Sequence, residues 1–463
     1  MNLRNVILVL LAGIGLYLLS VVGSGCAQIV APTGGLRDTI APVLLKSSPP
    51  NGSVNFTGNR IVLTFDEYVQ LQKLQENLLI SPTPKIIPNV DFKLKTVTIK
   101  IRDTLEPNTT YRFDLGNSIQ DNNEGNPIKN FSYVFSTGSY IDSLQFSGKV
   151  QLAETGKADS TLLVFLYKDL SDSAVYKHKP KYITRLDSSG KYIFHNLAAG
   201  IYHIFALKDE GGQRIYNHKD ELFAFADSTI DVTNNSGPLN LFAYAEEKPE
   251  VKGKAKTSTT ADKKLKYISS AASGSQDLLK PLTLEFNHKL KNFDSLKIEL
   301  TDTLYSPDKS AVVTIDTTRK IVTVRNTWHD NTDYRLIIPK DFGEDSSGVA
   351  LLKSDTIHVK TKKEGDYGSI KINFKNLEKF KNPVLEFILN NEIVNSYPLT
   401  SASWSKKLFE PGDYEVRILE DDNKNGVWDT GNYHLKIQPE KVYSIPQKIN
   451  IRADWENERD IIL

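Results

Sequence analysis

Along the chain, apolar residues recur at every second position in short runs: IVLTF (61–65), TVTIKI (96–101), YRFDL (111–115) and FSYVFST (131–137). A period of two puts those residues on one face of an extended strand. The Asn, Asp, Gly and Pro residues between the runs are turn formers. The pattern predicts short strands packed as a β-sandwich, and no long amphipathic helix is evident after the leader. The first residues differ. Arg4 precedes VILVLLAGIGLYLL (6–19), a continuous apolar run shorter than the roughly 20 residues that span a bilayer. It reads as an export leader.

The chain also resembles itself. TVTIKIRDTLEPNTTYRFDLGNSIQDNNEGNPIKNFSYVFSTG (96–138) is echoed by IVTVRNTWHDNTDYRLIIPKDFGEDSSGVALLKSDTIHVKTK (321–362): strand, NT-x-Y, strand, acidic turn, strand. A second module repeats without a gap, LAAGIYHIFALKDEGGQRIYN (197–217) on FEPGDYEVRILEDDNKNGVWD (409–429), so that Gly200, Tyr202, Leu207 and Asp209 fall on Gly412, Tyr414, Leu419 and Asp421. The repeats predict an all-β chain of tandem β-sandwich domains in the order A-B-A′-B′ after a lipoprotein signal peptide. The expected boundaries are a leader at 1–25, a tether at 26–38, A at 39–140, B at 141–245, a Lys-rich linker at 246–264, A′ at 265–363 and B′ at 364–463. At 463 residues several cores are required, because a single core of this size is rare.

Composition adds location. The chain has one cysteine, Cys26, so no disulfide can form within it. Small residues Gly23, Ser24 and Gly25 lead directly to it, and the stretch resembles a bacterial lipobox whose cysteine becomes the lipidated first residue of the mature protein. This chain has Gly23 where such a motif usually has Leu. An ordinary secretory leader with an incidental cysteine is the competing reading. Lys plus Arg (57) nearly equals Asp plus Glu (56), so no global field favours nucleic acid or anionic lipid. The implied partner is a membrane through the lipid anchor, with envelope proteins or glycans beyond it and no nucleic acid. AQIVAPTGG after Cys26 lacks the acidic residues that usually mark surface export in lipoproteins of the kind this stretch resembles, and the resemblance therefore implies an outer-membrane, periplasm-facing position.

SSPPNGSVNFTGNRIVLTFDEYV, LEPNTTYRFDLGNSIQDNNEGNP and YVFSTG together resemble the bacterial Ig-like domain first described in S-layer proteins. Lipoproteins of the Bacteroidota carry that domain directly after a C-x-x-I-V-APTGG tether, as here. The B modules, with G-x-Y opening a late strand, resemble transthyretin-like or carboxypeptidase-regulatory-like sandwiches. The resemblance implies fold and envelope location, and no reaction.

Candidate chemistry is sparse. Asp421, Asn423, Asn425, Val427 (through its carbonyl) and Asp429 have the alternating oxygen spacing of a calcium loop, with Gly426 at the turn. A polar turn closed by Asx hydrogen bonds explains the same residues and is the more economical reading. No other cofactor is implied. Trp404, Trp428 and Trp455 crowd the last module; core or edge packing is the more economical reading, and Trp428, sitting in the turn, is the best candidate for exposure and the candidate ligand contact if a sugar stacks there. Asp followed by Ser or Thr and then by Ala, Ile, Leu, Val, Met or Thr occurs ten times. It matches an O-glycosylation acceptor pattern that would use Thr39, Thr104, Ser143, Ser160, Ser173, Ser228, Ser295, Thr303, Thr317 and Thr356. Turn formation at strand ends is the competing explanation.

Enzymatic signatures are missing from the sequence: there is no thiol nucleophile after lipidation, no G-x-S-x-G, no H-E-x-x-H and no phosphate loop. The expectation is a non-catalytic, lipid-anchored envelope protein that scaffolds, adheres or binds. The alternatives are a carbohydrate-binding lipoprotein using the last module and, less favoured, an envelope hydrolase.

Overall fold

A computed structural model describes residues 3–22, 37–234, 237–247 and 264–463. Cys26, most of the tether and most of the Lys-rich linker lie outside the described residues. Apart from the N-terminal helix Leu3–Val22, the helices are single turns such as Leu74–Asn77 and Ala174–Lys177. Among the described residues no helix is long and apolar enough to cross a membrane. All other regular elements are strands, and they build tandem β-sandwiches.

The chain divides into two compact units, residues 1–80 with 84–141, and residues 81–83 with 142–463. In the first unit the alternating runs are strands Arg60–Phe65, Thr96–Lys100, Thr110–Gly116 and Phe131–Ser136. Ile61, Leu63, Phe65, Val97, Ile99, Phe113, Leu115, Tyr133 and Phe135 all point into one core. Each such side chain contributes about 1.5–3 kcal/mol when fully buried, and shifting a strand by one residue would turn its whole set toward water.

Within the second unit the repeats are visible strand by strand. The B region has a three-stranded sheet, Lys191–Leu197, Leu144–Leu152 and Leu239–Ala243, facing a second sheet in which Leu163–Tyr167 and Ile201–Leu207 are central. The B′ region repeats this with Ser403–Phe409, Gly368–Lys375 and Glu456–Ile462 against Pro383–Leu389 and Gly412–Glu420. In both, the first strand pairs in parallel with the last. Separate clusters of buried side chains run from Phe146 to Ala243, from Leu265 to Val359 and from Ile370 to Ile461.

The motifs repeat as hydrogen bonds. The Tyr202 hydroxyl donates to the Ala198 carbonyl at 2.9 Å, and Tyr414 donates to Glu410 at 2.9 Å. These are tyrosine corners, in which a phenol ties the strand entry back to the chain four residues upstream. They account for G-x-Y: a Cβ at Gly412 would lie 3.2 Å from the Tyr414 ring. In the A and A′ repeats the Tyr111 hydroxyl accepts from Glu106 N at 2.8 Å and Tyr334 from His329 N at 3.4 Å. Thr137 Oγ1 accepts from Thr109 N at 3.0 Å, as Thr361 Oγ1 does from Thr332 N at 2.7 Å. The acidic turns match as well. Asp121 gathers the amides of residues 123 to 126, and Asp345 those of Ser347 and Val349.

Candidate functional site

The described residues concentrate polar and aromatic side chains where the B′ sandwich meets the B sandwich in the second unit. After strand Gly412–Glu420 the chain leaves the sheet, runs through Asp421 to Glu440 and returns as Lys441–Ile451. This excursion carries Tyr433 into the B region. Its ring lies 5.0 Å from Phe225, 5.1 Å from Phe223 and 5.6 Å from Phe205, each in an edge-on arrangement favourable for aromatic rings. The Tyr433 hydroxyl donates to the Asp172 carbonyl at 3.1 Å, and its amide donates to Glu246 Oε1 at 2.9 Å. Burial pushes the phenol's pKa up, with Asp172 adding to it. Lys436 Nζ sits 3.7 Å above the Tyr433 ring and 2.7 Å from Asp172 Oδ1.

A second contact flanks the first. Arg417 is buried with Glu386, at 2.5 Å, and its Nη1 donates to the Glu154 carbonyl of the B region at 2.7 Å. Val442 N donates to the Ala153 carbonyl at 3.0 Å, and Lys157 pairs with Glu415 at 2.9 Å. Glu246, at the head of the Lys-rich segment, therefore belongs to this junction, held by Tyr433.

The predicted calcium loop lies on the same excursion. Asp421 is buried, and its carboxylate accepts from Asn425 N at 3.2 Å and Gly426 N at 2.7 Å. Asp429 Oδ2 accepts from the side-chain amides of Asn423 and Asn425. Val427 is exposed, its amide bound to Asn425 Oδ1 at 2.8 Å. Glu440, which the sequence did not single out, accepts from Asp422 N and Asp429 N and closes the loop. Burial, then Asp421 and Asp429, raise its pKa. The oxygens are thus turned onto the loop's own N–H groups, and among the described residues no group of three or more His, Cys, Asp or Glu is arranged to hold a metal.

Trp428 is half-buried against Val384, Leu419 and Val442, and its Nε1 donates to the Glu440 carbonyl at 2.7 Å. The turn position suggested exposure for Trp428, whereas Trp455 is the open indole at 61% exposure, with the Arg452 guanidinium 5.5 Å from its ring. The excursion folds back on its own strands, and that covers Trp428. A cleft of about 590 Å³ beside it is lined by Glu154, Glu221, Glu246, Tyr244 and Trp428.

The acceptor-like Ser and Thr residues are spread along the chain, and two of them, Ser173 and Ser228, follow aspartates that the 421–440 excursion contacts. Thr39, Thr104, Ser143, Ser160, Ser228, Thr303 and Thr317 are exposed, while Ser173, Ser295 and Thr356 are half-buried. The preceding aspartates have a structural task. Asp38, Asp159, Asp294, Asp302 and Asp316 each accept from the amide two residues on, which is the Asx turn.

These geometries define a chain of repeated β-sandwiches in which B and B′ interlock. A family model described as a bacterial Ig-like domain matches residues 38–137, so the chain carries such a domain there. No curated protein matches the chain. Among solved structures, the chain aligns with the Bacillus anthracis TIE protein at 10% identity and a TM-score of 0.17, over 93% of this chain and 76% of that one. It aligns with BcpA, the major pilin subunit of Bacillus cereus, at 10% identity and a TM-score of 0.16, over 69% and 99%. The S-layer protein rSbsC(31–844) gives 13% identity and a TM-score of 0.16, over 91% of this chain and 54% of that one. Likenesses this slight carry no argument about role.

Proposed function

We propose that this chain is a non-catalytic, lipid-anchored scaffold of the cell envelope, anchored through Cys26 on the periplasmic side of an outer membrane. The observation that carries the reading is the Tyr433 junction: a buried aromatic lock joins two sandwiches that are far apart in sequence. Side chains such as Tyr433, Arg417 and Lys436 are spent on holding module to module, which suits a protein that presents a fixed surface to partners. The bacterial Ig-like domain at 38–137 supports the envelope assignment. Calcium at 421–429 and glycans on the Asp-Ser and Asp-Thr sites are compatible with this role and not required by it. Carbohydrate binding at Trp428 is a second reading, favoured by the cleft that Trp428 lines.

The test compares a C-terminally tagged wild type with Cys26→Ala in fractionated cells, with protease added before and after permeabilisation. The scaffold reading expects membrane association that depends on Cys26, and cleavage only after permeabilisation. Membrane association unchanged in Cys26→Ala overturns the anchor, and cleavage on intact cells overturns the orientation. Turnover of an envelope polymer, abolished by one carboxylate substitution, overturns the non-catalytic role.

A further inference from the structure

The A and A′ repeats build the same corner at the end where the chain enters each sandwich, and they finish it with different side chains. In A, Val43 N donates to Asp66 Oδ1 at 2.8 Å and Asp66 N returns a bond to the Val43 carbonyl at 3.1 Å. In A′, Lys266 and Asn287 make the same exchange at 2.8 and 3.0 Å. Val69 N donates to the Leu94 carbonyl at 3.0 Å, as Leu290 N does to the Arg319 carbonyl at 2.8 Å. Leu94 and Arg319 both hold the left-handed backbone, at φ 52° and 58°. Lys289 precedes Leu290 as Tyr68 precedes Val69. Val43, Tyr68 and Leu94 of A therefore stand where A′ carries Lys266, Lys289 and Arg319.

All six side chains are exposed. Since A′ fills these positions with cations that water solvates, the fold itself does not call for apolar residues there. In A, Val43, Tyr68 and Leu94 each leave more than half of their surface to water, and so does Ile40. Asn126 Nδ2 donates to the carbonyls of Asp38 and Ile40 at 3.1 and 3.3 Å, which holds the entering segment on this corner. Four large apolar side chains gathered on one end of a domain mark a contact surface.

The path of the chain says what the surface faces. Arg37 is fixed at this end, its Nη2 donating to the Glu124 carbonyl at 3.2 Å. From Cys26 to Arg37 the chain can span at most about 40 Å, so a lipid on Cys26 brings the A domain to a bilayer by this end. Asp38, Asp66, Glu67 and Glu124 outnumber Arg37 and Lys95 here, which disfavours an anionic surface and leaves a zwitterionic one. A tyrosine beside aliphatic side chains suits the headgroup boundary of such a bilayer.

We propose that this end of the A domain, through Ile40, Val43, Tyr68 and Leu94, docks on the zwitterionic phospholipid surface to which the chain is anchored. The proposal rests on the anchor reading for its nearness to the bilayer, and it adds a protein contact that sets how the A domain faces the membrane.

With Cys26 lipidated the chain has no free thiol, so one introduced cysteine carries a nitroxide label. The full chain is reconstituted in dioleoylphosphatidylcholine vesicles with the label at Ile40→Cys, Leu94→Cys or, in A′, Arg319→Cys. Electron paramagnetic resonance then reads collisions with oxygen and with a water-soluble nickel chelate. The expected result is loss of nickel access and gain of oxygen access at positions 40 and 94, with position 319 open to nickel. Val43→Lys, Tyr68→Lys and Leu94→Arg together install the side chains that A′ carries on the same backbone, and should restore nickel access at position 40. Thermal unfolding checks that this variant folds, and Tyr68→Lys alone replaces it if it does not. Nickel access at 40 and 94 equal to that at 319 overturns the proposal, as does shielding that survives the substitutions. Dipolar broadening between labels would put a second copy on this end and overturn it as well. Mass spectrometry of Cys26 tests the anchor separately. If no lipid is found, the anchor reading fails, and the labels are read in Cys26→Ala mixed with the same vesicles, where shielding at 40 and 94 sustains the docking and its absence overturns it.

Discussion

The Tyr433 hydroxyl donates to the Asp172 carbonyl at 3.1 Å across 261 residues of sequence. The bond orients a ring that is otherwise held by Phe205, Phe223 and Phe225. Removing the ring in Tyr433→Ala should cost about 3–5 kcal/mol, the range for emptying a buried aromatic site. Tyr433→Phe keeps the packing and loses one hydrogen bond, so about 1 kcal/mol is expected. Denaturant unfolding of both variants measures the difference. Equal losses would mean that the bond, and not the ring, holds the junction.

The Glu386 and Arg417 pair should respond asymmetrically to mutation. Both side chains are buried, so Glu386→Ala strands a guanidinium and should destabilise by about 3–5 kcal/mol. Replacing both with apolar residues, as in Glu386→Leu with Arg417→Met, should cost much less, because no charge is then left unpaired. A double-mutant cycle in urea separates the two outcomes.

Gly148 occupies a position that admits no side chain. A Cβ there would lie 1.9 Å from the Leu239 carbonyl oxygen, inside the parallel pairing of first and last strands. Gly148→Ala should lower the unfolding midpoint far more than Gly211→Ala, where the nearest atom is the flexible Gln213 Cγ at 3.7 Å. Thermal melts of the two variants side by side test this.

Asp316 predicts an acid-side pH dependence. Its carboxylate accepts from the Thr318 hydroxyl first, and from the amides of Ile321, Lys320 and Thr318, which hold its pKa down to about 2 against 3.8 for an unperturbed carboxyl. The folded value lies below the unfolded one. The contribution to stability is therefore present above about pH 4 and is lost as the pH falls toward about 2. Carboxyl NMR titration should place the Asp316 midpoint near 2, and Thr318→Ala should raise it. An unchanged midpoint in that variant would assign the shift to the backbone amides alone.

Strands such as Arg60–Phe65 and Thr110–Gly116 were legible because alternation is a local signal: Ile61, Leu63 and Phe65 announce a buried face without reference to the rest of the chain. The NT-x-Y and G-x-Y repeats were legible as spacing. Their meaning as hydrogen-bonded corners closed by Tyr111, Tyr334, Tyr202 and Tyr414 needed coordinates. The carboxylates and amides of the 421–429 loop were found from sequence, but Glu440, which ties the loop down, lies outside the repeat of the motif.

The sequence by itself determined the strand periods, the A-B-A′-B′ order and the turn chemistry of Asp-Ser and Asp-Thr steps, because each depends on residues a few positions apart. Tertiary structure alone decided that Tyr433 leaves its own module, that Trp455 is exposed while Trp428 is half-covered, and that Tyr176 and Tyr216 share a cleft with Asn432 and His434. GNYHLKIQPE (431–440) has no strand periodicity to reveal its destination. Its aromatic residue is buried by a surface more than two hundred positions upstream, and contacts at that separation are set by how sandwiches pack.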